Sequence, residues 1–293
     1  MKLRQVLRGT GVALITPFDS NKKVDYNSLE KLIDFNIAGG VEYLVSLGTT
    51  GETPVLSSAE KQEIIKFTSQ KIGGRVPLVV GIGGNNTVSL LSEIENTILD
   101  TAVAVLSASP YYNKPSQEGI FLHYKEVAKA SPHPVILYNV PGRTGRNMSS
   151  STTLRLAKEV HNIGGIKEAS GDMVQCMEIL KDKPEDFLVV SGDDMLAMPQ
   201  IACGMDGVIS VAANCYPQQF SDMVRASLKS DFIAAKKLND FLLPAYTLLF
   251  EENNPAGVKA FLAEMNIIKN ELRLPNVPAS ETLIQKIKSF TVK

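Results

Sequence analysis

A lysine closes an otherwise apolar run. In Ile163-Gly164-Gly165-Ile166-Lys167-Glu168-Ala169-Ser170, Lys167 follows small and β-branched residues at the point where a strand would end. Lysine is almost never fully buried without a partner or a task. An apolar setting disfavours the ammonium form, and the neutral amine is the nucleophile that attacks a ketone to form an imine. On the residues alone, a rim lysine paired with Glu168 or Asp172 is the competing reading. Two other runs end in tyrosines: Pro110-Tyr111-Tyr112-Asn113-Lys114-Pro115 and Tyr138-Asn139-Val140-Pro141-Gly142-Arg143-Thr144-Gly145. A phenol can donate or pass a proton. Arg143, in a loop of glycine and proline, offers a two-pronged donor for a carboxylate. A fourth run leads into Gly48-Thr49-Thr50-Gly51-Glu52, where two hydroxyls and backbone amides between glycines make an anion cradle.

Other chemistries lack their residues. Gly81-Ile82-Gly83-Gly84-Asn85-Asn86 starts as a dinucleotide-binding loop would, but Asn86 replaces the last glycine. No acidic residue closes a strand about 20 positions later, so a tight strand-to-helix turn is expected instead. His123, His133 and His161 are widely spaced, are expected at the surface or at helix ends, and form no H-E-x-x-H; no metal site is expected. There is no G-x-S-x-G elbow and no nucleotide P-loop.

The elements that must position these residues repeat. Apolar runs at 11–16, 43–47, 77–80, 102–106, 134–138, 163–166, 188–190 and 207–211 alternate with segments of helical periodicity, clearest at 26–37, 58–71 and 118–129. Ser57 and Glu60 have the spacing of a capping box. The runs are apolar on both faces, as in a parallel sheet covered by helices. Eight such units predict an α/β fold, a closed (β/α)8 TIM barrel, in preference to a doubly wound open sheet. The units end near residue 230. The rest reads as a C-terminal α-helical appendix with helices at 231–248, 255–265 and 281–288, so the expected division is a catalytic barrel over 1–230 and a helical region over 231–293. The strand C-termini face the active site in such a barrel, which is where all the residues above fall.

Composition narrows the class. Thirty basic against 31 acidic residues leave a net charge of −1, so a nucleic-acid partner is not expected. Three cysteines without a C-x-x-C pair are no disulfide framework, and a reducing, cytoplasmic compartment is the expectation. The apolar stretch at 12–15 is too short for a secretory leader, and 241–250, which contains Pro244, is too short to span a bilayer.

Five motifs in order, Gly48-Thr49-Thr50-Gly51-Glu52, Pro110-Tyr111-Tyr112-Asn113, Tyr138-Asn139-Val140-Pro141-x-Arg143-Thr144, Ile166-Lys167-Glu168 and Ser191-Gly192-Asp193-Asp194, resemble the dihydrodipicolinate synthase (4-hydroxy-tetrahydrodipicolinate synthase) family. The resemblance runs from about residue 11 to 275. This family lies among the pyruvate-dependent, class I aldolase-like lyases that include N-acetylneuraminate lyase. The resemblance implies condensation of pyruvate with L-aspartate 4-semialdehyde, toward diaminopimelate and lysine, with no cofactor. It implies that Lys167 forms the imine and that Tyr138, Thr49 and Tyr112 relay protons, Tyr112 across a dimer interface. Thr50 would hold the pyruvate carboxylate and Arg143 the carboxylate of the second substrate, with Gly192 and Ile209 lining the pocket. A homotetramer, a dimer of dimers, is implied as well. Relatives acting on sugar acids (N-acetylneuraminate lyase or 2-keto-3-deoxy-sugar-acid aldolases) share the lysine and the tyrosine but generally lack the arginine, so they are the alternative. A nicotinamide oxidoreductase and a catalytically silent paralogue are readings that Asn86, and the set Lys167, Tyr138 and Arg143, respectively argue against.

The resemblance also implies an effector site for lysine, at Thr53, Asn85, Ser89 and Tyr111. Here the chain departs from the pattern. Ser89 stands where a glutamate normally receives the effector's ammonium, and Ser58 and Lys61 occupy a helix that often carries histidine. Lys61 would repel a cationic effector if it points into that cavity, whereas Glu93, one turn on, could replace the missing carboxylate. Weak or absent inhibition by lysine is expected.

Overall fold

Alternation along each apolar run sends one set of side chains inward and the other outward. Tyr43, Val45, Val79, Ile136 and Val190 belong to an inner cluster, whereas Leu44, Val80, Val105, Leu137 and Val189 pack beneath the surrounding helices. In the computed structural model these runs form eight parallel strands: β1 (Gly9–Ala13), β2 (Tyr43–Ser46), β3 (Leu78–Gly81), β4 (Ala102–Ala108), β5 (Val135–Asn139), β6 (Ile163–Glu168), β7 (Leu188–Ser191) and β8 (Gly207–Ser210). They pair in chain order and close into a barrel through β1 and β8, with Gly9 opposite Gly207 and Gly11 opposite Ile209. The structure describes residues 2–291; the first residue of the expected 1–230 segment and the last two of 231–293 lie outside it.

Helices form where periodicity and caps predict them, at Tyr26–Ala38, Ser58–Ile72 and Gln117–Ala130, and both reciprocal bonds of the Ser57–Glu60 capping box are made. Asn86 caps the helix Thr87–Glu95 through the Ser89 amide, so the glycine loop after β3 is a strand-to-helix turn. Two expectations need correction. The first strand begins at Gly9 and ends at Ala13 rather than covering 11–16. Its glycines have little intrinsic strand preference, yet the barrel needs one here: a Cβ on Gly11 would lie 2.2 Å from the Tyr43 ring, which fills the interior. His123 is buried rather than peripheral; it bonds Thr87 Oγ1 at 2.9 Å, and burial pushes its imidazole down to about 4. Its place on the inner face of an amphipathic helix decides this.

The short helix Leu3–Val6 carries Leu3, which joins Leu7 in the inner cluster, while Arg4 bonds Asp206 at 2.7 Å. The appendix consists of helices Phe232–Phe250, Ala256–Glu264 and Glu281–Thr291. Its apolar residues share one core with the barrel shell, and Tyr216 meets Phe241, Phe261 and Phe290 edge-on. No helix of the described residues is long and apolar enough to cross a membrane.

The appendix is also tied to the barrel by charge. Lys259 Nζ lies 2.5 Å from Glu52, and neither side chain is exposed at all. Lys259 also donates to the Glu271 carbonyl and lies 4.1 Å from the centre of the Phe18 ring; burial pushes its ammonium down to about 8. Removing one partner of such a pair leaves an uncompensated buried charge, which costs about 3–5 kcal/mol. Lys259→Ala should therefore lower the denaturation midpoint sharply, and the double variant Glu52→Gln, Lys259→Met should recover most of the loss. Equal losses in the single and double variants would show that the charge is not what matters.

Candidate active site

The alternation on β6 decides the site. Gly165 and Lys167 face the barrel interior, while Ile166 and Glu168 face the helices. Lys167 and Glu168 are thus neighbours in sequence on opposite sides of the sheet. Lys167 is buried, and no carboxylate lies within 4 Å of its amine among the described residues. Its Nζ sits 4.4 Å from the centre of the ring of Tyr138, its partner on β5. Glu168 is fully buried and saturated by N–H donors: Asn139 Nδ2 at 3.0 and 3.2 Å, Gln175 Nε2 at 3.0 Å and the Ser170 amide at 2.7 Å. Asp172 caps the helix Met173–Asp182 through two backbone amides. The rim ion pair entertained from the residues is therefore not formed.

Lys167 opens into a cavity of about 400 Å³ whose walls include Thr49, Thr50, Tyr138, Arg143, Gly192 and Asp193. Gly192 is required by packing: a Cβ there would lie 2.9 Å from Lys167 Cε and 2.6 Å from Ala169 Cβ. Thr49–Gly51 forms a single tight turn after β2, held by Thr16 Oγ1 on the Gly51 carbonyl at 2.7 Å. The Thr49 and Thr50 amides donate to no backbone carbonyl among the described residues, as expected at the start of a helical turn. Arg143 is exposed on the turn Pro141–Thr144 and pairs with no carboxylate among the described residues; its Nη2 donates to Asn253 Oδ1 at 3.1 Å. Below β7, Asp194 accepts from the Val211 and Ala212 amides at 3.1 and 2.7 Å, and burial pushes its carboxyl up to about 6.

Not every expected residue reaches this cavity. Ile209 lies in the inner apolar cluster, and Val211 lines the wall instead. Tyr112 is 88% exposed, with its backbone in the left-handed region at φ 71°, and lines neither cavity. Thr53, Asn85, Ser89 and Tyr111 come together around a second cavity of about 590 Å³, which shares Thr49, Tyr138 and Arg143 with the first. Lys61 and Glu93 line it too and are paired with each other at 2.7 Å.

This geometry has known counterparts. Residues 6–292 match the dihydrodipicolinate synthetase family. The chain belongs to that family. It is 50% identical to a Flavobacterium psychrophilum protein named 4-hydroxy-tetrahydrodipicolinate synthase, over 98% of both chains. The crystal structure of the chloride-inhibited dihydrodipicolinate synthase from Acinetobacter baumannii complexed with pyruvate superposes with a TM-score of 0.94, at 38% identity over 98% of each chain. The enzyme from Cyanidioschyzon merolae with lysine bound gives 0.94 at 30% identity, again over 98% of each.

Residues of the appendix escaped the sequence reading. Phe250, Asn253 and Asn254 line the first cavity, although they lie beyond the last barrel unit. Their only signal is a polar stretch, Glu251-Glu252-Asn253-Asn254, between two helical segments. Gly192→Ala is the direct test of the packing around the amine. A displacement of the reacting atom by 1 Å can cost about 10²-fold, so turnover should fall by that order while the circular dichroism spectrum stays unchanged. Wild-type turnover in this variant would mean that Lys167 does not need the space.

Proposed function

We propose that the chain is a 4-hydroxy-tetrahydrodipicolinate synthase, condensing pyruvate with L-aspartate 4-semialdehyde through an imine on Lys167. One observation carries this: two basic side chains with no carboxylate partner among the described residues, Lys167 and Arg143, share one cavity with the Thr49–Thr50 turn. That arrangement suits two substrates, each bearing a carboxylate and one bearing a ketone.

Chemically, Lys167 Nζ adds to the pyruvate ketone carbon, and loss of water leaves the imine. Thr50 and the turn amides hold the carboxylate. Loss of a methyl proton gives the enamine, whose carbon attacks the aldehyde of the second substrate, and the aldehyde oxygen takes up a proton. Tyr138, beside the amine, and Thr49 are placed to move these protons. Arg143 receives the carboxylate of the semialdehyde. The substrate's amino group then attacks the imine carbon, closing the six-membered ring and returning the lysine. The covalent stage divides one difficult condensation into easier steps. Arg143 also disfavours a sugar-acid aldolase, whose aldehyde is polyhydroxylated. The exposure of Tyr112 agrees with a role in the site of a second copy of the chain, in a homotetrameric, cytoplasmic enzyme.

Borohydride reduction with pyruvate should add the three-carbon unit to Lys167 and leave Lys114 and Lys125 unlabelled; a label elsewhere overturns the assignment. Arg143→Ala should keep this labelling. It should lose use of the semialdehyde by roughly ten- to a hundredfold, since a charged hydrogen bond is worth about 1.5–3 kcal/mol. Unchanged synthase activity, or efficient cleavage of sialic acid by the wild type, would move the chain to the sugar-acid branch.

A lysine effector entering the second cavity would meet Lys61, and Glu93 is already engaged by it. Ser89 supplies a hydroxyl where a carboxylate would bind an ammonium. Titrating L-lysine at fixed substrates should therefore give weak inhibition or none. Half-inhibition below 1 mM, an affinity of at least about 4 kcal/mol, would contradict this.

A further inference from the structure

Thr50 sits deep in the carboxylate turn with one side-chain partner. Asn254 Nδ2 donates to its Oγ1 at 2.9 Å, across 204 residues of sequence. Both side chains are more than nine-tenths buried. A hydroxyl has a single proton to give. Because Asn254 supplies the hydrogen bond that Oγ1 accepts, the Thr50 proton is left free, and no protein acceptor takes it among the described residues. That proton is then available to an anionic oxygen in the cavity.

Asn254 is itself held in place. Its backbone N–H donates to Asn253 Oδ1 at 2.9 Å, and the same oxygen accepts from Arg143 Nη2 at 3.1 Å. Asn253 has φ 77°, a left-handed conformation that asparagine tolerates better than most residues. A continuous string thus runs from Arg143 through Asn253 and Asn254 to Thr50. It joins the groups assigned to the two substrate carboxylates. Asn254 Oδ1 is buried without a partner among the described residues.

We propose that Asn254 is a positioning residue that directs the Thr50 hydroxyl proton at the pyruvate carboxylate. The inference rests on the synthase reading above. Its physical content is polarity rather than packing. An amide N–H forces Oγ1 to accept; an ionised carboxylate at the same place can only accept, and it would draw the proton away from the substrate.

The test compares Asn254→Ala, Asn254→Asp and Thr50→Val, singly and combined, in the full-length enzyme, with KM for pyruvate and kcat measured separately. Loss of one neutral hydrogen bond corresponds to a few-fold change. Asn254→Ala should raise KM for pyruvate about three- to tenfold on that scale, with a smaller change in kcat. The near-isosteric Asn254→Asp should be worse than Asn254→Ala, and its penalty should shrink at least about threefold in the Thr50→Val background, where no hydroxyl remains to be turned. If Asn254 only supported the fold, the aspartate would be milder than the alanine, or its penalty would be the same in both backgrounds; either result overturns the proposal. Borohydride labelling of wild-type Lys167 with pyruvate separates the two levels. Labelling with additive substitutions sinks the role of Asn254 alone, whereas absence of labelling sinks the synthase reading and this inference with it.

Discussion

In the proposed reaction, an amine that must attack a ketone cannot be answered by a carboxylate. The structure is arranged around that constraint. The residue after Lys167 is a glutamate, a carboxylate one position away. The strand sends Glu168 to the opposite face, where Asn139, Gln175 and the Ser170 amide donate to its oxygens. Both carboxylate oxygens already accept from N–H donors on that side of the sheet, so Glu168 has its partners without Lys167. The same contacts hold Asn139, next to Tyr138, and thereby the ring against which the amine lies.

The carboxylate turn depends on a different part of the chain. It sits after β2, where Thr16 holds it, and the appendix braces it from the other side. Glu52 ends the turn with its backbone in the left-handed region and pairs with buried Lys259. Arg273 bonds Glu60 and the Val55 carbonyl, and holds the Glu60 carboxyl well below its usual range. Asn254 reaches Thr50 from the same side. The appendix therefore acts as a brace for the substrate cradle, fastened by one fully buried pair and several part-buried bonds. Low local dielectric makes such contacts strong when complete and costly when broken.

The two cavities share a wall formed in part by Thr49, Tyr138 and Arg143. A ligand in the second cavity would touch residues of the first directly, so communication between them needs no long path. Here the second cavity holds an internal ion pair, Lys61 with Glu93.

Much of this was legible in the residues. Eight apolar runs separated by helical periods predict a parallel sheet covered on both faces, and their number favours a closed barrel over an open sheet. The motifs at strand ends determine where the chemistry lies, since β-strand C-termini share one face. Lys167, Tyr138, Thr49, Thr50, Arg143 and Gly192 line one cavity at that face. Other features are decided only by the closed fold. The first strand is set by the need of Tyr43 for a glycine opposite, a demand made by a residue 32 positions away. His123 is buried because its helix face meets the barrel. Asn253 and Asn254 enter the site because the appendix folds back over the barrel mouth, and nothing local in Glu251-Glu252-Asn253-Asn254 signals that return. Sequence patterns report the period of an element and the chemistry of its ends. Contacts between elements about 200 residues apart follow from closing the barrel and packing its last helices, and no local pattern encodes them.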